Sequence, residues 1–409
     1  MKRFIGAVTV VVACLVIAGG AFAFNYTDHV SVAPNGKGDL LVFPVYMAMG
    51  GTNPIQTDFT IVNTSKTHSV VAKVVVRSFA YSQELLDFLI YLSPTDMWVG
   101  TLAFGPKGPM MVSTDKSGPV LVPGKALAAV TCTGTTGDRG VDSNQFGYVE
   151  VIEAWSANLA SPTRAVITNA YDASARFTPY GGADTIDMLS GSYQISVPTL
   201  GWVAADRAFT MQSYDNTQYL SSTMETRIGA KARNNIQEVE AGFNKDFLAM
   251  TFNNNPTAGS SIHLFTFPTK LSNAVNCTRV SGSAYFPVDG LVNYDKITYD
   301  NEENAMSEPF SPSLTNKMPD EVMSLAGPTY FDFGWVLYEF TKKGTAASTV
   351  SGLPLNYTGT PVIMTNLYFS SDFTAISGGT AYADGTVSSV PGGAALPTYQ
   401  YSSQFVTTQ

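Results

Sequence analysis

Val70-Val71-Ala72-Lys73-Val74-Val75-Val76-Arg77-Ser78-Phe79-Ala80-Tyr81 is a run rich in β-branched residues with two cations set into it. Val71, Lys73, Val75 and Arg77 alternate with Ala72, Val74, Val76 and Ser78. A period of two is the signature of a strand, because successive side chains point to opposite faces. Lys73 and Arg77 fall on the same face, so the sequence predicts a strand whose charged side is half in water.

The flanking segments repeat the motif. Upstream lie Asp39 to Met49, the turn residues Gly50-Gly51-Thr52-Asn53-Pro54, and Asp58 to Val62. Downstream, Leu86 to Leu92 meets the turn Ser93-Pro94-Thr95-Asp96, and Met97 to Phe104 resumes. Short strands divided by turn residues that fix the backbone direction predict an antiparallel sandwich. Further strands are expected at Ala126 to Cys132, Phe146 to Trp155, Ser192 to Val197, Trp202 to Met211, Phe247 to Phe252, Ile262 to Phe267, Phe331 to Phe340 and Val362 to Phe369. One helix is expected over Ala230 to Gly242, where Ile236, Val239 and Phe243 are spaced three and four apart among charged residues. The stretch Ser156 to Gly191 reads as loop and as a domain junction. The fold class is therefore all-β, an antiparallel sandwich of immunoglobulin-like or jelly-roll-like type with one or two short helices. Its expected units are residues 24–157, residues 158–370 with the helix, and a tail over 371–409.

Met1 to Ala23 has the layout of a secretory signal peptide: Lys2 and Arg3, an apolar stretch, then Ala21-Phe22-Ala23 as a small-x-small cleavage site. Two other readings of this leader are an uncleaved anchor and lipidation at Cys14. No other segment is apolar enough to span a bilayer, so no transmembrane segment is expected after cleavage. The address is extracellular or cell-surface. Without Lys2 and Arg3 the 23 basic residues of the chain fall to 21 against 32 acidic ones. That negative balance argues against a nucleic-acid partner.

Few residues suit chemistry. The three histidines are His29, His68 and His263; the first two are expected to be exposed and the third packed. No Gly-x-Ser-x-Gly elbow, His-Glu-x-x-His or phosphate-cradling Gly-Lys-Ser/Thr loop occurs, so nucleophilic catalysis of the usual kinds is disfavoured. A carboxylate-based glycoside hydrolase stays open, because it needs only two facing acids. Calcium is the one cofactor considered. Asp295, Asp300, Glu302, Glu303 and Glu308 cluster in a loop-like stretch, and calcium takes 6–8 oxygen ligands. Asp138, Asp142 and Asn144 form a weaker cluster; the bland reading of both is a solvated acidic loop.

Cys132 and Cys277 are either a disulfide, suited to an oxidising compartment and worth roughly 5 kcal/mol for so long a loop, or two buried thiols. Trp98, Trp155, Trp202 and Trp335 read as core first and as sugar-stacking platforms second. The tail from Ser371 is rich in Gly, Ser, Thr and Ala. Its end, with Tyr399, Tyr401, Phe405 and Val406, is either frayed or an arm that adds a strand to a neighbour's sheet.

Phe59-Thr60-Ile61-Val62-Asn63-Thr64-Ser65, the run Val70 to Arg77, and Leu85 to Trp98 resemble the start of uncharacterised bacterial surface-layer-type, extracellular structural proteins. Phe265 to Lys270 and Tyr299-Asp300-Asn301-Glu302-Glu303 resemble later segments of such proteins. The resemblance implies a place at the cell surface and carries over no catalytic residue. The function expected is a secreted, non-catalytic subunit that self-assembles into an extracellular layer or filament, with other copies of itself as partner. The alternatives are a carbohydrate-binding module for surface polysaccharide and the hydrolase.

Overall fold

The computed structural model describes residues 30–131, 143–177, 187–213, 236–254, 260–270, 292–308, 317–318, 322–326, 331–340, 346–347, 356–357, 359–369 and 400–402. It is an all-β, sandwich-like protein of several largely antiparallel sheets with two α-helices among the described residues.

Two sheets form the first sandwich. One has six strands in the order β1 (Ser31–Val32), β12 (Phe209–Gln212), β2 (Leu40–Met47), β9 (Phe146–Ala157), β4 (Ser69–Ser78) and β5 (Glu84–Leu92). The other has seven, in the order β25 (Gln400–Ser402), β11 (Trp202–Arg207), β10 (Leu189–Val197), β3 (Gln56–Asn63), β6 (Met97–Gly105), β7 (Gly108–Ser113) and β8 (Leu121–Ala126). Alternation decides what meets between them. Phe43 of the six-stranded sheet packs edge-on against Phe59 and Tyr193 of the other, at 5.2 and 6.0 Å between ring centres. Phe88 meets Trp98 at 5.4 Å with the rings tilted by 50°. Burial of such aromatic and aliphatic area is the main source of stability.

Sheet pairing crosses the junction expected after Ala157. β10 pairs with β3, β12 with β2 and β11 with β10, so residues up to 212 complete the first sandwich. The stretch expected to be loop also contains a helix, α1 (Arg164–Phe177). Among its described side chains Ile167 and Tyr171, at i and i+4, are buried and Ala170 packs beside them, set among the polar residues Arg164, Thr168, Asn169 and Asp172. The expected helix near residues 230–242 is present as α2 (Ile236–Phe243).

Both helices lie on the outer side of the six-stranded sheet. Tyr171 of α1 meets Trp155 at 6.1 Å, and Phe243 of α2 meets Phe209 at 4.9 Å. The molecule is thus three layers deep here. No helix among the described residues is long and apolar enough to cross a membrane.

The second half builds a smaller sandwich. Its main sheet runs β14 (Phe247–Asn253), β20 (Phe333–Phe340), β16 (Val292–Asp300) and β17 (Ala305–Glu308), with β18 (Lys317–Met318) also on β16. A three-stranded sheet runs β19 (Val322–Ala326), β15 (Ser260–Thr266) and β24 (Ile363–Phe369). Two short pairs complete it, β13 (Asn244–Lys245) with β23 (Thr360–Pro361), and β21 (Ala346–Ala347) with β22 (Asn356–Tyr357).

β15 explains how the halves join. Leu264 belongs to the first core, and Phe265, one residue on, to the second. The small sheet therefore serves both cores, one with each face. Thr266 Oγ1 donates to the Pro44 carbonyl at 2.6 Å, and Val322 N–H to the Phe79 carbonyl at 3.1 Å, which fastens it to β2 and to the turn after β4.

Candidate functional site

The two cations of β4 come first, because the structure corrects their expected setting. Every residue of β4 is buried, with Lys73 at 0% and Arg77 at 1% exposure. The face is buried rather than half-solvated. Each cation carries its partner on the neighbouring strand. Lys73 Nζ lies 2.5 Å from Asp87 on β5, diagonal to it across the ladder. Arg77 Nε donates to Glu150 Oε2 on β9 at 2.9 Å, and its terminal nitrogen stands 4.0 Å from Glu84. Arg77 also donates to the Ser82 carbonyl at 3.2 Å, and Tyr148 O–H to Ser82 Oγ at 2.8 Å.

Burial pulls the Arg77 pKa down, but the charges of Glu150, Tyr148 and Glu84 outweigh it and hold the guanidinium above its ordinary value. The bonds to Ser82 hold a turn in which Tyr81 and Ser82 both have positive φ, 65° and 49°. Left-handed backbone costs an L-residue about 1–2 kcal/mol, so this buried turn is strained and pinned by the charged residues. With its charges paired and sealed, the cluster is built to hold β4, β5 and β9 in register rather than to meet a substrate.

His263 is packed, as expected. Its Nε2 lies 3.2 Å from the Thr251 carbonyl, which can only accept, so Nε2 carries the proton. Nδ1 then accepts from the Tyr338 hydroxyl at 2.7 Å. Burial pushes the imidazole down to about 4. His68 sits in the loop before β4 with Nδ1 2.9 Å from Thr67 Oγ1, and His29 lies outside the described residues.

The expected calcium ligands are spread along one hairpin. Asp295 and Asp300 belong to β16, five positions apart and so on opposite faces. Asp300 caps its own turn, accepting from the backbone N–H of Glu302 and Asn304 and from the Asn304 side chain, which holds its carboxyl below the ordinary value. Glu302 and Glu303 are exposed in that turn, and Glu308 pairs with Lys296 in the β16–β17 ladder. Among the described residues no group of three acidic, His or Cys side chains could hold a metal ion. Cys132, Cys277, Asp138, Asp142, Tyr399, Phe405 and Val406 lie outside the described residues. Tyr401 lies in β25, on the β11 edge of its own chain.

The tryptophans separate into two kinds. Trp98, Trp155 and Trp202 are buried, and Trp335 is not. On β14 and β20 the buried set is Leu248, Met250, Phe252, Val336, Tyr338 and Phe340, so the intervening residues point away from the core. The register lines these up in rows. Thr251, Trp335 and Tyr299 form one, Ala249, Leu337 and Ile297 the next, and Phe247, Glu339 and Asp295 the third. Phe333 stands at the end of β20.

Phe247 and Phe333 are 52% and 42% exposed, and Trp335, Leu337, Ile297 and Tyr299 are half-buried. Trp335 and Tyr299 stack face to face, 3.9 Å apart and 9° from parallel. Beside them Asp295 and Glu339 are direct cross-strand neighbours of like charge, an unfavourable pairing for stability alone. Desolvation, and then the Glu339 charge, raises the Asp295 pKa.

Comparison with known protein families, curated proteins and solved structures gives no match.

The candidate site is therefore this outward face, found from geometry alone. Sequence reading singled out Trp335 and Asp295 but not Phe247, Ile297, Tyr299, Phe333 or Leu337. The signal was present: Phe333-Gly334-Trp335-Val336-Leu337-Tyr338-Glu339-Phe340 is apolar at both parities until Glu339. A strand apolar on both faces needs cover on both, and here the described residues supply it on one.

Proposed function

We propose that this chain is an exported, non-catalytic structural subunit that associates with copies of itself at the cell surface. The observation that carries the reading is the aromatic and aliphatic outward face of the five-stranded sheet. An antiparallel sheet that meets water keeps that side polar; a contiguous apolar one marks a surface that is covered in the working assembly. Four strands about 4.8 Å apart and seven residues at about 3.4 Å give a footprint of roughly 450 Å². Two such faces packed together bury on the order of 1,000 Å² in all, the threshold for a specific interface. The leader-like residues 1–23 and the sparse charge, 13% of the chain, fit the same role.

The test uses the chain from Phe24 onward, followed by light scattering and negative-stain microscopy across a range of concentrations. Concentration-dependent oligomers and ordered arrays are expected, and Leu337→Lys or Phe333→Asp should disperse them while the monomer stays folded. A single monomeric species at high concentration, with and without calcium, would sink the reading.

Trp335, Tyr299 and the adjoining Asp295–Glu339 pair favour a second reading, attachment to a surface polysaccharide, with a ring face for a sugar and carboxylates for its hydroxyls. Retention by a glycan panel that is lost in Trp335→Ala would select it.

A further inference from the structure

The two edges of the seven-stranded sheet are treated differently. An edge strand exposes unpaired N–H and C=O groups, and proteins blunt such edges with proline, lysine and bulges. β8 has all three: Pro123 lacks an N–H, Lys125 is exposed, and the register with β7 slips between Met111 and Ser113. β11, Trp202-Val203-Ala204-Ala205-Asp206-Arg207, has none of them within its span. Among the described residues its outer side is met by β25 alone, over Val203, Ala204 and Ala205. That pairing is parallel, in a sheet whose other ladders are antiparallel.

β25 comes from far along the chain. Residues 370–399 separate it from the end of β24, and thirty residues reach up to about 100 Å when extended. The diameter of a folded unit of this size is shorter, so the same segment can serve its own β11 or a neighbour's. The contacts are identical in both cases, and concentration decides between them. Symmetry supplies the reason to exchange. Two apolar faces packed together make an isologous contact that closes on itself as a pair, whereas a layer or filament needs a second, head-to-tail contact.

We propose that Gln400–Ser402 of one copy pairs with β11 of the next, a donated strand that links subunits in series. This inference rests on the subunit reading above. It has a direct test in mixed populations of the full mature chain with Cys132 and Cys277 changed to serine. One population carries Ala205→Cys, an exposed position of β11 opposite Ser402 in the ladder, and the other carries Ser402→Cys with a size tag. A short bismaleimide should join them into a heterodimer that rises with concentration, at least tenfold over a control in which Lys37→Cys replaces Ser402→Cys. If the serine background does not fold, a benzophenone amino acid at position 205 with the native cysteines gives the same readout after illumination.

Deleting residues 399–409 should leave the far-ultraviolet spectrum and the melting transition unchanged and reduce assemblies to pairs. Assemblies that form without any 205–402 product above the control, or that survive the deletion, would overturn the donated strand and leave the subunit reading standing. A monomer under every condition would overturn both.

Discussion

Two sheet faces in this molecule invert the usual arrangement. The outer face of the six-stranded sheet carries Lys73, Arg77 and Glu150, and it is buried. The outer face of the five-stranded sheet carries Phe247, Phe333, Trp335 and Leu337, and it meets solvent. The first tolerates charge because every cation sits beside a carboxylate on the adjacent strand. The second leaves aromatic and aliphatic side chains partly in solvent, with no such pairing to compensate. Alternation tells which residues share a face, and says nothing of what lies above it.

The contrast can be broken most directly at Arg77. Arg77→Ala leaves Glu150 buried beside an unfilled space, and removing one partner of such a pair costs about 3–5 kcal/mol. Urea unfolding should show that loss, and the double change Arg77→Met with Glu150→Leu should recover much of it. A loss below about 1 kcal/mol would mean that this face is wetter than its burial states.

His263 sharpens the contrast between the sealed and open sides of the second sandwich. Its pKa is about 4 in the folded chain and about 6.5 unfolded. Between those values the unfolded state binds the proton first, so stability is fully present above pH 6.5 and is lost as pH falls towards 4. The shift corresponds to about 3 kcal/mol. His263→Gln should flatten that dependence, and a wild-type profile with no slope in this window would show that solvent reaches the ring.

Trp335→Ala should have the smallest effect on the isolated chain. A stacked aromatic pair adds about 0.5–1.5 kcal/mol beyond area burial, and this one is half in water. Thermal melts of the monomer should move by only a few degrees while self-association weakens severalfold. A penalty as large as that of Arg77→Ala would place Trp335 in the core and remove the asymmetry between the two faces.

Much of the fold was legible along the chain. The strands at Asp58 to Val62, Val70 to Ser78, Met97 to Phe104 and Phe146 to Trp155 follow from period-two patterning and turn residues, and they appear as β3, β4, β6 and β9. α1 was passed over because Ile167, Ala170 and Tyr171, the core-facing positions among its described side chains, stand among polar residues in a stretch that reads as loop. The extent of the first sandwich was hidden for another reason. Strands β10 to β12 return to sheets begun more than a hundred residues earlier, and pairing at that distance leaves no local mark. Of the outward face, Trp335 and Asp295 stood out as residue types, but their joining with Tyr299 and Glu339 depends on register between β16 and β20.

By itself the sequence determined the all-β class, the parity of each strand and the scarcity of reactive side chains. These follow from local rules: side-chain alternation, turn preference and residue chemistry. Tertiary structure alone decided that Lys73 and Arg77 are sealed while Trp335 and Phe333 are open. Whether a face is covered depends on which distant segments fold over it, and a strand's own alternation carries no record of them.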